Sequence, residues 1–123
     1  MSIEELLEKP YWIVDILPKQ VPEGSPGQYF AVERYYLAPE RLAAVRQKHI
    51  SLVLKLNCYM DLAVDGVTGL NPPPEQIAGE MTKRTVFLMT GGAMIRSEPD
   101  ETYMTVYNPD DRLLALIREI AAG

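Results

Sequence analysis

The chain has one cysteine, Cys58, and one histidine, His49. A lone cysteine cannot form an internal disulfide, so the fold is expected to stand without covalent staples, in a reducing and cytoplasmic setting. Two such residues are also too few for a zinc cluster built from cysteine and histidine. Basic charge is short as well: 12 Lys and Arg stand against 17 Asp and Glu, for a formal net charge of -5. Binding to nucleic acid rests on a cationic surplus that releases counterions from phosphates, and anionic membrane surfaces ask for the same. The balance here argues against both. No apolar run approaches the 18 or so uncharged residues that span a bilayer. Met1-Ser2-Ile3-Glu4-Glu5 lacks the positive start and apolar stretch of a secretory leader.

Several signatures of chemistry are missing. There is no Gly-x-x-x-x-Gly-Lys phosphate loop and no Gly-x-Ser-x-Gly nucleophile elbow. Asp61 and Asp65 precede Gly66, but the alternating oxygens and distant glutamate of a calcium loop do not follow. No cofactor or metal is expected.

What remains is a chain of 123 residues, 47% apolar and 24% charged. Such a chain buries about two-thirds of its extended surface on folding. One domain over residues 1–123 is the expectation. The pattern predicts an α+β fold: a mainly antiparallel sheet of five to six strands with helices packed on it. Ser2 and Glu5 form a capping box that starts a short helix ending before Pro10. Tyr11–Leu17 reads as a strand, 18–27 as a proline- and glycine-rich loop, and 28–37 as a second strand paired antiparallel with the first. Pro39 opens a helix to about residue 49. Leu52, Leu54 and Leu56 alternate like a strand running to about residue 60, leaving room for a β-α-β crossover over 28–56. A short helix after Asn71-Pro72 carries Ile77 and Met81. Gly91-Gly92 joins a hairpin of 85–90 with 93–97, in a register that sets Leu88 opposite Ile95 and Met89 opposite Met94. A strand over 102–107 and an amphipathic helix over 110–121 complete the chain.

Candidate catalytic groups each have a structural reading. His49 is expected at a helix end, where it interacts with terminal carbonyls. Cys58 falls in an apolar stretch, where a thiol behaves as a small hydrophobe. Asp65-Gly66 is a common turn dipeptide. An enzyme built on His49 with Cys58, or on Asp61 with Asp65, is therefore the weaker reading.

Aromatic residues are the positive signal. Six of the ten fall within the first 36 residues: Tyr11, Trp12, Tyr29, Phe30, Tyr35 and Tyr36. Tyr29 and Tyr35 beside Glu33 suggest a recognition surface. On the hairpin, both the Phe87, Met89 and Met94 side and the Val86, Leu88 and Ile95 side are apolar, which points to a homodimer if helices cover only one of them. The functional expectation is a non-enzymatic interaction module acting through Tyr29, Glu33, Tyr35, Phe87, Met89 and Met94. The alternative is a small acidic inhibitor or immunity-type protein that masks a basic partner. The sequence leaves a small-molecule ligand unknown.

Overall fold

A computed structural model describes residues 2–15 and 27–122. The expected loop at 18–27, apart from Gly27, and the end of the first strand at 16–17 lie outside the described residues. The elements run α1 (Ile3–Leu7), β1 (Tyr11–Asp15), α2 (Tyr29–Leu37), α3 (Pro39–Asn57), β2 (Ala63–Val64), α4 (Pro74–Lys83), β3 (Val86–Thr90), β4 (Ala93–Ser97), β5 (Tyr103–Tyr107) and α5 (Asp111–Ala122). The strands form one antiparallel sheet in the order β1-β5-β4-β3-β2, giving the α+β class the sequence predicts.

The β3–β4 hairpin has the expected register, with Leu88 opposite Ile95 and Met89 opposite Met94. Gly91 has φ 58° and Gly92 is not in the positive region, the pattern of a type II′ turn. Alternation then divides the sheet. Val86, Leu88, Ile95, Met104 and Val106 face the main core under α3, α4 and α5, where Val53, Leu56, Ile77, Met81 and Leu113 meet them. The opposite face carries Phe87, Met89, Met94 and Tyr107, and α1 lies on it through Ile3 and Leu6. The Ser2 hydroxyl accepts the Glu5 N–H at 3.2 Å, so the capping box starts this five-residue helix as its sequence indicates. A helix this short holds its shape by docking, and burial of Leu6 supplies the dock.

Three expectations are corrected. Residues 29–37 are helical, and β1 pairs with β5, not with this segment. The strand preference of Tyr, Phe and Val is a preference for a packed, pleated surface, and this segment packs on α3 instead. The helix begun at Pro39 continues to Asn57 and absorbs the expected 52–60 strand. The alternation of Leu52, Leu54 and Leu56 is incidental. Val45, His49, Val53 and Leu56 form the buried stripe at helical spacing, and neither Gly nor Pro interrupts it. With both strands gone, no β-α-β crossover exists over 28–56. The two-residue β2 was not foreseen.

Candidate functional site

A groove of about 290 Å³ opens where α2 passes the ends of β1 and β5. From α2 come Tyr29, Glu33 and Leu37, which at spacings of four share one helical stripe. Ile13 and Asp15 of β1 face them, with Glu101, Thr102 and Tyr103 at the start of β5. Aromatic rings and apolar side chains therefore alternate with three carboxylates in one concave surface.

The electrostatics of the groove are one-sided. Burial raises the Glu101 carboxyl above its ordinary value, and the negative charges of Glu98, Asp100 and Glu33 raise it further against Arg96. The Tyr103 phenol is raised by burial first, then by Glu101 and Glu98. Both groups sense a negative field that a cation would relieve. Arg96 is engaged by Glu98 in an ion pair.

Above the groove, α2 buries none of its residues. Phe30 is 73% exposed and Tyr35 54%. Tyr29 and Phe30 meet edge to face at 5.7 Å, as do Tyr35 and Tyr36 at 5.3 Å. The Arg41 guanidinium sits 3.7 Å from the Tyr35 ring centroid and its Nε donates to the Tyr35 carbonyl. This pins the end of α2 to the start of α3 while leaving the outer ring faces open.

Of the six residues singled out from sequence, the structure places only Tyr29 and Glu33 in the groove. Tyr35 turns to Arg41. Met94 is fully buried, and Phe87 and Met89 are half-buried in the cluster under α1. Sequence reasoning missed Ile13, Asp15, Leu37, Glu101 and Tyr103. The spacing of Tyr29, Glu33 and Leu37 was a usable signal for α2, but it was masked by the strand-like composition.

Two larger hollows, of about 670 and 560 Å³, flank α3. Between them lies a buried polar network. Arg46 Nη1 donates to His49 Nδ1 at 2.8 Å, and Nη2 donates to the Ser97 hydroxyl and, at 3.5 Å, to the Met81 carbonyl. The guanidinium thus ties α3 to β4 and α4. Burial chiefly, then the Arg46 charge, pulls His49 down to about 4, against a hydrogen bond with the Thr102 backbone. The imidazole is neutral near pH 7 and serves Arg46 as an acceptor. This corrects its expected place at a helix end: it is buried in mid-helix.

The proposed catalytic pairs do not assemble. Cys58 is an exposed C-cap whose thiol points back to the Leu54 carbonyl. Nine residues on from His49, it stands about 13 Å along the axis and on the opposite face. Asp61 accepts from Asn71 Nδ2 at 2.9 Å, whereas Asp65 takes Arg84 Nη1 at 3.2 Å and the Phe87 N–H at 2.8 Å. Gly66, with φ 77°, completes the turn expected there. Among the described residues, no group of three or more His, Cys, Asp or Glu is placed to hold a metal ion, and no helix is long and apolar enough to cross a membrane.

No protein family, curated protein or solved structure matches the chain.

Proposed function

We propose that the chain is a non-enzymatic interaction module that receives a basic protein segment, with a lysine or arginine side chain entering the groove between α2 and the β1–β5 edge. The observation that supports this reading is the joint lining of that groove by Tyr29, Glu33 and Leu37 with Asp15, Glu101 and Tyr103. Ring faces and carboxylates are the two groups that recognise an organic cation, and the aliphatic stem of Lys or Arg packs on Ile13 and Leu37. The exposed Phe30 and Tyr35 extend the surface with the residue types enriched in protein interfaces. An acidic inhibitor that masks a basic partner is one form of the same activity. A cytoplasmic setting belongs to the proposal too, supported by the exposed, unpaired thiol of Cys58.

The test is binding of a fluorescent hexalysine peptide, followed by anisotropy at low salt. Saturable binding that weakens with salt, and falls at least tenfold in the Glu33→Gln, Glu101→Gln double variant, is the expected result. An equal fall in a Glu75→Gln, Glu119→Gln control, which removes the same charge elsewhere, would reduce the effect to net charge and remove the groove from the account.

A further inference from the structure

A second property follows from how the sheet ends, and it does not depend on what the groove binds. Directly opposed residues of an antiparallel pair alternate between exchanging hydrogen bonds and facing away. The Asn108 N–H donates to the Pro10 carbonyl at 2.8 Å, which fixes the phase of the β1–β5 ladder. Trp12 and Val14 therefore bond inward, to Val106 and Met104, while the N–H and C=O of Tyr11 and Ile13 point out of the sheet. Among the described residues these outward groups meet no partner. The side chains are uncovered on both faces: Tyr11 is 59% exposed, Trp12 37% and Ile13 38%. Free edges of this composition are ordinarily blunted by charge, a bulge or a cover.

The other edge of the same sheet shows such a cover. At β2 the outward groups are those of Leu62 and Val64. Asn71 returns to the strand, its Oδ1 accepting the Leu62 N–H at 2.9 Å and its own N–H donating to the Leu62 carbonyl at 2.7 Å. The Val64 carbonyl accepts from Val67 at 3.0 Å.

We propose that β1 is the dimerisation edge, joined antiparallel to β1 of a second copy about a two-fold axis at Ile13 to give one continuous ten-stranded sheet. The strand is complementary to itself in this register. Outward residues oppose outward residues, so Ile13 exchanges both backbone bonds with its mate. On one face Ile13 lies against Ile13 of its mate and Tyr11 against Asp15; on the other, Trp12 of each copy lies against Val14 of its mate. Every exposed apolar residue of β1 gains a neighbour. Charge agrees with the pairing. The two Asp15 side chains stand roughly 14 Å apart along the ladder, beyond a screening length of about 8 Å. Exposed Lys9 lies one diagonal from the second copy's Asp15, at the mouth of its acidic groove. The hairpin face, where the sequence suggested self-association, is instead occupied by α1.

The experiment is light scattering of the whole chain between about 1 and 300 µM, with amide exchange read at both ends of that range. The mass should rise from 13.8 kDa towards twice that value, with a midpoint between about 1 and 100 µM, the range of a small interface. Protection of the Tyr11 and Ile13 amides should rise at least tenfold with it. Ile13→Pro removes the outward N–H together with the Ile13 side chain, and Ile13→Lys sets like charges across the axis; both should stay monomeric with unchanged circular dichroism. Phe30→Ser on α2 should still dimerise. A monomer at 300 µM overturns the proposal. So does a dimer whose Tyr11 and Ile13 amides remain unprotected, or one that survives Ile13→Lys. Hexalysine binding to the unaltered chain, measured below and above the dimer midpoint, separates this result from the fate of the groove, since Ile13 itself lines it.

Discussion

At the β2 edge, a side chain and a turn satisfy the outward backbone; at the β1 edge, the other end of the strand order, the outward groups of Tyr11 and Ile13 meet no partner among the described residues. The closed edge is also where polar contacts are densest. Arg84 reaches Asp65 and Glu80, Asp65 accepts the Phe87 N–H, and Asn57, Asp61 and Asn71 form a chain. The β1 edge carries the exposed aromatic side chains of Tyr11 and Trp12 and adjoins the acidic groove. Under the proposed reading, stability and recognition are segregated to opposite sides of one sheet, since a binding surface keeps groups unsatisfied that a purely structural edge would pair.

Four perturbations test this contrast. The largest effect comes from acid acting on the network that holds α3 to the sheet. His49 has a folded value of about 4, below its ordinary value of 6.5. The unfolded chain therefore binds the extra proton first, and the contribution is complete above pH 6.5 and lost as pH falls towards 4. The full loss is about 3 kcal/mol at 1.36 kcal/mol per unit. Urea unfolding at pH 7, 5.5 and 4 should show this decline, and His49→Gln should flatten it at a lower overall stability.

At the closed edge, Asn71→Ala should cost about 2–3 kcal/mol in urea unfolding, since the Leu62 N–H, Asn57 and Asp61 all lose a partner. Part of that cost is conformational, because Asn71 has φ 52°. Asn71→Gly should recover about 1 kcal/mol of it by relieving the left-handed backbone. Equal values for the two variants would show that backbone strain plays no part.

The groove should respond in the opposite direction. The Glu101 carboxyl is raised, so its charged form is the disfavoured one in the folded state. Glu101→Gln should lift the melting temperature at pH 7 by about 1–2 °C, the mark of a site that gives up some stability for binding. A fall in melting temperature would argue that Glu101 is a structural residue. Smallest of all, Ile13→Lys at the β1 edge should change unfolding free energy by no more than about 0.5 kcal/mol when measured well below the dimer midpoint. A loss comparable to that of Asn71→Ala would mean that β1 is covered after all, and the two edges would cease to differ.

Where local rules and packing agree, the sequence is easy to read. The Gly91-Gly92 turn, the Ser2–Glu5 capping box and the stripe of Leu113 and Ile117 in α5 form as their spacing requires. The failures lie at 28–37 and 52–60, both apolar segments compatible with two periods. In the second, length decided, because a helix already running from Pro39 adds a hydrogen bond with each residue and nothing stops it before Asn57. In the first, packing decided, since residues 29–37 lie as a helix against α3 while β1 takes β5 as its partner. The candidate site suffered from the same error. As a strand, residues 29, 33 and 37 share a face with 31 and 35; as a helix, Tyr29, Glu33 and Leu37 share one and Tyr35 leaves it.

The sequence by itself determined the α+β class and the hairpin with its register. Those follow from interactions a few residues long, in which period and turn chemistry are sufficient. Only the tertiary structure decided that α1 closes the hairpin face, that Asn71 closes one edge of the sheet, and that no described element pairs with the outer edge of β1, beside a groove whose acids come from β1, α2 and the start of β5. Each of these joins groups dozens of residues apart, and no local pattern records which distant surface a segment will meet.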